Sequence, residues 1–272
     1  MRPRSRTTSR FLGTLLFLVL SFSFLPATAS ALEFFVDGDT GLDSRSTVEA
    51  QSSLTPWKTI DHALQMVLPG NTITVLPANV PYAESAQSHF PNVTLRAGGA
   101  PDSVVIEPPP GSPGIDVDHP GLVIEGFVIL GGSHGIKATG ADGLRIRGCK
   151  SIAAQFNGFT VEQTSGVTIE SSVAASAGSR GILIDHTSEA YLRSNLVYGA
   201  GEWGIDLENT NASEPQPPLS MGNVVAFNTV AFNGGGAGEG GLRLKNAVGQ
   251  IRDNVLLSVA ILVLCRGQAG LQ

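Results

Sequence analysis

A glycine followed by apolar residues at alternate positions recurs through this sequence at a nearly constant spacing. The repeated glycines are Gly114, Gly135, Gly158, Gly181, Gly204 and Gly241. The three middle intervals are each 23 residues, whereas the interval after Gly204 is 37 residues and predicts an extra loop of about 14 residues somewhere in 211–223. A repeat of this length holds three short strands with tight turns, but it is too short for a strand and a full helix.

Side chains of the same character return at each step of 23 residues. Two apolar columns follow the glycines, one with Ile136, Phe159, Ile182 and Ile205 and the other with Ala138, Val161, Ile184 and Leu207. The two columns are two residues apart, which is the period of a β-strand with one buried face. A third column contains Ile146, Ile169, Leu192, Val225 and Ile251, and bend residues three positions later include Asn195, Asn228 and Asn254. Asparagines at successive bends predict a ladder of hydrogen bonds between coils.

The repeats therefore predict an all-β fold, a right-handed parallel β-helix. One coil cannot bury its own apolar face, but parallel coils stacked about 4.8 Å apart form a continuous core. We expect a solenoid of about seven coils. Its glycine-type first strands are predicted near Ile73, Ile115, Ile136, Phe159, Ile182, Ile205 and Leu242.

The segment before the repeats has the pattern of a capping helix. Thr55 and Pro56 favour a helix start, and Pro69 and Gly70 favour a stop. The apolar face of this helix would contain Ile60, Ala63, Leu64 and Val67. Because the end of a β-helix exposes strand edges and core, we expect the helix to cover the N-terminal end. The predicted regions are a capping region at 32–70, coils at 71–256 and an atypical tail without a visible cap at 257–272.

The first 31 residues have the layout of a signal peptide. Four arginines and no acidic residue accompany an apolar run at 11–25, and small residues follow at 29–31. The run of about 15 residues is shorter than the roughly 20 that span a bilayer. We therefore expect cleavage, no transmembrane anchor in the mature chain, and export to the extracellular space, the periplasm or the cell surface. An uncleaved anchor is the alternative.

The predicted mature chain is acidic. Without the four arginines of the leader, 13 basic residues stand against 23 acidic residues, which gives a net charge of about −10. This charge argues against a nucleic acid partner, because nucleic acid binding depends on basic surfaces. The oligomeric state does not follow from the sequence.

Motifs of the N-terminal region precede the glycine-led repeats. They are Phe-Phe-Val-Asp-Gly at 34–38, Thr-Pro-Trp-Lys-Thr-Ile at 55–60, Pro-Gly-Asn-Thr-Ile at 69–73, and Tyr82. Together with the repeats they resemble bacterial right-handed parallel β-helix repeat proteins of the pectate-lyase-like superfamily, over essentially the whole mature chain. The resemblance implies that the glycine-led strands and their turns form a polysaccharide-binding groove. It leaves the activity open, because such folds host lyases, hydrolases, epimerases and non-catalytic surface proteins.

The residues between the buried positions of the glycine-led strands would point outward in two columns. The first contains Asp116, Lys137, Thr160, Leu183, Asp206 and Arg243, and the second contains Asp118, Thr139, Glu162, Asp185, Glu208 and Lys245. Glu162, Asp185 and Glu208 would stack about 5 Å apart, where like charges repel. Such carboxylates favour Ca²⁺, so these three are the predicted metal ligands. Neutralisation by Arg243 or Lys245, or a solvated acidic face, is the alternative.

Two mechanisms are compatible with this face. In a calcium-assisted polysaccharide lyase, calcium binds the uronate carboxylate, and Arg243 or Lys245 removes the ring proton. In an inverting glycoside hydrolase, Asp185 and Asp206 act as acid and base, since strand geometry places their backbones about 8 Å apart. The basic pair could instead bridge to the acids.

Two further residues are predicted to contact the substrate. Trp203, immediately before Gly204 at the groove edge, would stack on a sugar ring, although packing alone also explains it. Glu208 would contact the sugar from the second column. The sequence therefore predicts a secreted β-helix that binds, and as an enzyme would cleave, an extracellular acidic polysaccharide. A non-catalytic surface or structural protein, adhesin-like or carbohydrate-binding, is the alternative.

Overall fold

The computed structural model describes residues 31–208, 220–236, 239–245, 247–257 and 261–264. The predicted signal peptide and most of the predicted insertion lie outside these residues. The strands are β1 (Glu33–Val36), β2 (Thr72–Val75), β3 (Ala86–Gln87), β4 (Thr94–Ala97), β5 (Val105–Ile106), β6 (Ile115–Val117), β7 (Val123–Glu125), β8 (Val128–Leu130), β9 (His134–Thr139), β10 (Arg145–Arg147), β11 (Lys150–Ile152), β12 (Asn157–Glu162), β13 (Thr168–Glu170), β14 (Val173–Ala175), β15 (Arg180–Asp185), β16 (Tyr191–Arg193), β17 (Leu196–Tyr198), β18 (Trp203–Glu208), β19 (Ser220–Ala226), β20 (Thr229–Ala231), β21 (Gly240–Lys245), β22 (Ala247–Arg252), β23 (Val255–Leu257) and β24 (Ile261–Leu264).

The strands form three parallel sheets that wind as a right-handed solenoid, which confirms the predicted fold of about seven coils. Sheet 1 has the order β1-β2-β4-β7-β10-β13-β16-β19-β22. Sheet 2 has the order β5-β8-β11-β14-β17-β20-β23, and sheet 3 has the order β3-β6-β9-β12-β15-β18-β21-β24. Sheet 3 contains the glycine-led strands, and each of them is followed along the chain by strands of sheets 1 and 2.

The predicted apolar columns are confirmed. Strand pairing aligns Ile136, Phe159, Ile182 and Ile205 in sheet 3, and Ile146, Ile169, Leu192, Val225 and Ile251 in sheet 1. The sheet 3 residues are completely buried, as the stacking of apolar faces requires. Ile73 is the exception among the predicted first strands. It lies on β2, which pairs with β1 in sheet 1, whereas sheet 3 begins with β3.

The repeated glycine is required because sheet 2 packs closely against it. A Cβ atom on Gly181 would lie 2.2 Å from Cγ1 of Val197, and one on Gly204 would lie 2.5 Å from Cγ1 of Val230. The carbonyl oxygen of the next glycine is equally close, 2.6 Å from a Cβ on Gly181. Any side chain at these positions would therefore push the two sheets apart.

The predicted asparagine ladder is present at the bends between sheets 1 and 2. The backbone N–H of Asn195 donates to Oδ1 of Asn228, and the backbone N–H of Asn228 donates to Oδ1 of Asn254. The ladder continues into the coils nearer the N-terminus. The backbone N–H of Ser172 donates to Oδ1 of Asn195, and the backbone N–H of Cys149 donates to the hydroxyl of Ser172. Buried polar groups that would otherwise lack partners are thus satisfied from coil to coil.

The capping helix is shorter than its sequence pattern predicts. α1 spans Ile60–Met66, and the side chain of Thr59 caps it by accepting from the N–H of His62. The start at Thr55 is wrong, because Trp57 donates its backbone N–H to Phe35 and stacks on the ring of Phe34. The predicted apolar face of Ile60, Ala63, Leu64 and Val67 is buried in the core. α1 lies beside β3, the first strand of sheet 3, where Gln87 donates its backbone N–H to Asp61.

The predicted tail contributes a further strand. Backbone pairing joins β24 to β21 in sheet 3, so residues 261–264 continue the repeat beyond the predicted end of the coils at 256. Residues 265–272 lie outside the described part of the chain. No helix in the described ranges is long and apolar enough to span a membrane.

Candidate functional site

Strand pairing brings the predicted outward residues of sheet 3 together in the expected register. Glu162 pairs with Asp185, Asp185 pairs with Glu208, and Glu208 pairs with Lys245. In the first column, Asp206 pairs with Arg243. The positions of these side chains therefore follow from the repeat, but their contacts and exposure decide what they can do.

Asp206 is the centre of a closed ion-pair cluster. Its side chain is completely inaccessible, and it accepts hydrogen bonds from Nε of Arg180 at 2.7 Å and Nε of Arg243 at 2.7 Å. Nη2 of Arg243 donates to Asp206 as well and reaches Oε2 of Glu208 at 2.7 Å. Nζ of Lys245 lies 3.6 Å from the same Glu208 oxygen. Arg243 and Lys245 thus bridge to the acids, as the alternative prediction from the sequence has it, and Arg180 is an additional partner.

Arg243 is held in its charged form. Burial lowers the pKa of its guanidinium, but the hydrogen bond and charge of Asp206, together with the charges of Glu208 and Glu202, outweigh burial and raise the pKa overall. A guanidinium whose pKa is raised above its already high value does not accept a proton near neutral pH. The predicted role of Arg243 as the proton-removing base of a lyase therefore conflicts with its surroundings.

Trp203 is not the open ring that the sequence analysis placed at the groove edge. Only 3% of the residue is exposed, and the guanidinium carbon of Arg243 lies 5.5 Å from its ring centroid. A cation over an indole face is a favourable contact that occupies the face a sugar would need. Trp203 therefore packs against Arg243 of the ion-pair cluster. The expectation that Trp203 is exposed is wrong.

The predicted acid and base of a hydrolase differ in accessibility. Asp206 cannot reach a glycosidic bond, because it is enclosed and already accepts from two arginines. The side chain of Asp185 is 16% exposed, and its Oδ1 lies 2.8 Å from Nδ1 of His186. An inverting mechanism needs two carboxyl groups that both face the substrate. Asp185 and Asp206 are not such a pair, because only Asp185 is accessible.

The three stacked carboxylates do not form a calcium cage. Ca²⁺ takes six to eight oxygen ligands. Oε2 of Glu208 already contacts Arg243 and Lys245, and Asp185 contacts His186. No group of three or more His, Cys, Asp or Glu side chains in the described ranges is arranged to hold a metal ion. The donor set on these strands therefore does not fit the predicted ion.

A partly exposed stretch of the glycine-led surface outside the ion-pair cluster lies on β9 and β12, closer to the N-terminal end. Phe156, in the turn before β12, is 47% exposed, and its ring centroid lies 5.6 Å from that of His134. Lys137, Thr139 and Glu162 are partly exposed on the same strands. Pairing places Thr139 next to Glu162. We call these five residues, namely His134, Lys137, Thr139, Phe156 and Glu162, the binding face.

Charge on the binding face is mixed. Burial lowers the pKa of His134, and the positive charge of Lys137 lowers it further, so the imidazole is neutral at pH 7. Asp116 pairs with Lys137 on the preceding strand, and burial raises the pKa of its carboxyl group although Lys137 opposes that shift. The face thus combines one cation, one carboxylate, a hydroxyl, a neutral imidazole and an exposed ring.

Sequence reasoning missed Arg180 and Phe156. Arg180 stands directly before Gly181, and Phe156 stands two residues before Gly158. A signal for Arg180 was available, because the same register holds Trp203 one coil later. Phe156 occupies a turn position that serines fill in the coils on either side, Ser133 and Ser179. A large apolar residue among serines is a visible irregularity of the repeat.

Solved structures of carbohydrate-active proteins share this fold. Pectate lyase Pel9A matches with a TM-score of 0.63 at 17% identity, covering 82% of this chain and 62% of its own. GH136 lacto-N-biosidase from Eubacterium ramulus matches with a TM-score of 0.63 at 8% identity, covering 82% and 55%. A rhamnogalacturonan lyase matches with a TM-score of 0.52 at 10% identity, covering 80% and 74%. The chain thus spans less than two thirds of the first two proteins, and at these identities the likeness concerns the fold alone.

Sequence comparison gives the family. No curated protein sequence matches the chain significantly. A family model described as right handed beta helix region matches residues 109–262, more than half of the 272 residues. The matched region contains the glycine-led strands from β6 onward, the asparagine ladder and the ion-pair cluster. The chain therefore belongs to the right-handed β-helix family.

Proposed function

We propose that this protein is secreted and binds a polysaccharide along the binding face of sheet 3, without cleaving it. The observation that carries the proposal is the exposed ring of Phe156 beside a row of hydrogen-bonding side chains on two neighbouring strands. Secretion rests on the signal-peptide pattern of residues 1–31. The carbohydrate ligand is supported by the fold shared with pectate lyase Pel9A and the rhamnogalacturonan lyase.

Each residue of the binding face has a recognised use in sugar recognition. The apolar C–H face of a sugar ring can pack on Phe156, as apolar surface packs on aromatic rings elsewhere. Glu162 accepts hydrogen bonds from hydroxyl groups, Lys137 donates them, and Thr139 does both. Neutral His134 has one donor and one acceptor nitrogen.

Hydroxyl groups suit this face better than uronate carboxylates. Glu162 and the neighbouring Asp185 would repel an acidic sugar unless a cation bridged them. Since the carboxylates of sheet 3 do not form a calcium cage, we favour a neutral polysaccharide over the acidic one predicted from the sequence. An acidic ligand that binds only with added calcium is the competing outcome of the test below.

The absence of cleavage is proposed from the contacts of the predicted catalytic residues. Asp206 is enclosed by Arg180 and Arg243, and the pKa of Arg243 is raised. The side chain of Lys245 is 42% exposed, but its amine lies 3.6 Å from Oε2 of Glu208, an oxygen that Arg243 also contacts.

A structural role for the solenoid is the second candidate function. The ion-pair cluster favours it, because that cluster ties β15, β18 and β21 together and presents no open site. In this alternative the protein is an adhesin-like or scaffold β-helix, and Phe156 is an exposed ring without a ligand.

A binding screen with product analysis tests the proposal. Purified protein is incubated with neutral and uronate polysaccharides, with calcium and with a chelator, and binding is measured by affinity electrophoresis. We expect retardation by at least one neutral polysaccharide, independent of calcium, and no new reducing ends. Ultraviolet absorbance of an unsaturated uronate would reveal a lyase, and reducing ends without it a hydrolase; either would overturn the proposal of binding alone.

The matched variants are Phe156→Ser, which restores the serine of the neighbouring coils, and Tyr198→Ser. Tyr198 is an exposed aromatic residue on sheet 2, outside the binding face. If no polysaccharide retards the wild-type protein, the structural role is supported instead.

A further inference from the structure

A concave surface lies on sheet 1, apart from the binding face of sheet 3. It is a pocket of about 480 Å³ formed by β13, β16, β19, β22 and the bend after β19. Its lining includes Glu170, Tyr191, Arg193, Phe227 and Arg252, which we call the bend pocket. The volume lies in the range of roughly 300–1,000 Å³ that small-ligand sites occupy.

Phe227 is an anomaly in the repeat. Its backbone is left-handed, with φ of 57°, and the equivalent bend positions of the other coils are Gly126, Gly148, Ser171, Ser194 and Asp253. Small or short polar residues tolerate this conformation, whereas a bulky side chain is disfavoured there. Phe227 is 57% exposed as a whole residue, so core packing does not compensate for its backbone. Phe227 thus places an exposed aromatic residue at the pocket, at a bend where the other coils have none, and Phe232, which is also left-handed and exposed, lies outside it.

The charged residues of the bend pocket are mainly basic. The guanidinium carbon of Arg252 lies 5.4 Å from the ring centroid of Phe227, and its side chain is 46% exposed. The side chain of Arg193 is 61% exposed and pairs with Glu170, which Arg147 also approaches. Of the charged residues that line the pocket, Arg193 and Arg252 are basic and only Glu170 is acidic, although Arg252 also contacts Asp253. The local excess of arginine favours an anionic ligand.

Aromatic rings flank these arginines. Tyr191 on β16 is 46% exposed, and Phe227 lies at the end of the next strand of the sheet. An arginine fork matches the two oxygens of a carboxylate, and an exposed ring matches the C–H face of a sugar. Glu170, between the arginines, can accept from hydroxyl groups.

We propose that the bend pocket binds a carboxylate-bearing oligosaccharide, a site that is separate from the binding face and goes beyond the proposed function. Arg193 and Arg252 bind the sugar carboxylate, and Phe227 and Tyr191 pack against the rings. The two surfaces therefore differ in the charge of the sugar that they select.

Calorimetric titration with trigalacturonate and with neutral galactotriose tests this assignment. Phe227→Gly introduces the residue found at the equivalent bends Gly126 and Gly148. It removes the ring and also the strain of a left-handed backbone, so the melting temperature of this variant should not fall. We expect this variant to bind trigalacturonate about tenfold more weakly than the wild type. Arg252→Gln should weaken trigalacturonate binding by a similar factor and leave galactotriose binding unchanged.

Phe156→Ser and Tyr198→Ser are the controls, because they lie outside the bend pocket. Both should bind trigalacturonate as the wild type does, so that a failure of the binding face does not affect this result. The proposal is overturned if the wild type does not bind trigalacturonate, or if Phe227→Gly and Arg252→Gln bind it unchanged. Equal affinity for an oligoglutamate peptide would overturn the assignment to a saccharide.

Discussion

Arg243 donates two hydrogen bonds to Asp206 on the neighbouring strand of sheet 3, one from Nε and one from Nη2 of its guanidinium, and the carboxylate that accepts them is inaccessible. Arg180 donates to the same carboxylate from the preceding coil. One buried acid therefore links three successive coils. The net contribution of such a buried ion pair to stability is small, since both charges lose their hydration, but breaking it leaves uncompensated charges.

Replacing Asp206 should therefore be costly. We expect Asp206→Asn to lower the free energy of unfolding by about 3–5 kcal/mol, because two guanidinium groups lose their counter-ion. Urea unfolding followed by circular dichroism measures the change. Glu202→Gln is the matched control, since Glu202 contacts Arg180 at 3.6 Å but is 42% exposed. That exposed pair should contribute about 1 kcal/mol or less. Equal effects of both variants would contradict the central position given to Asp206.

The asparagine ladder predicts a graded response. Asn228→Ala removes the acceptor for the N–H of Asn195 and the donors to the carbonyl groups of Leu192 and Ala226. Each buried polar group left without a partner costs about 1–3 kcal/mol. Asn254→Ala should cost less, because Asn254 is partly exposed and water can replace its bonds. Comparison of the two unfolding curves checks this, and a loss for Asn254→Ala as large as that for Asn228→Ala would contradict the predicted dependence on burial.

Calcium binding by Glu162, Asp185 and Glu208 stays a prediction from the sequence, and thermal melts decide it. An ion that binds only the folded state stabilises it by about 2.7 kcal/mol at one hundred times its Kd. Because Glu208 already binds Arg243 and Lys245, we expect identical melts of the wild type in calcium and in chelator. A calcium-dependent rise that disappears in Asp185→Asn would instead establish these carboxylates as a cation site.

His134 should make stability depend on pH. Burial and Lys137 lower its pKa in the folded state, whereas the unfolded state has the ordinary value of about 6.5. As the pH falls below about 6.5, the unfolded chain therefore takes up a proton first and stability decreases, until the pH reaches the lower folded-state pKa. His134→Gln should lack this component, so its stability relative to the wild type should increase from pH 7 to pH 5. A pH-independent difference in the free energy of unfolding would contradict the lowered pKa.

Much of the fold was predictable because each coil repeats the same pattern of buried and exposed residues. The columns through Ile136 and Ile146 and the bonds of Asn195 follow from a period of two within a period of 23. The helix start was not predictable from Thr55 and Pro56, because pairing with β1 holds that segment extended. Local propensity yields there to tertiary contacts.

The site was predictable in register but not in contacts. Strict alternation would turn Arg180 inward, yet Gly181 and Ile182 both face the core, so the alternation is interrupted and Arg180 turns outward to Asp206. The apolar alternation alone does not reveal that interruption, and Trp203 at the same register one coil later is the only hint that the sequence offers. Phe156 belongs to a turn, where side-chain direction does not follow a strand period, so its exposure required the structure.

The affinity of Phe156→Ser for the polysaccharide found in the screen tests the proposed binding face most directly. Loss of one stacked ring should weaken binding about tenfold, while Tyr198→Ser should bind as the wild type does. Quantitative affinity electrophoresis of the three proteins, with melting temperatures to verify folding, provides the comparison. A tenfold loss confined to Phe156→Ser is the predicted result, and wild-type affinity in that variant would contradict the account.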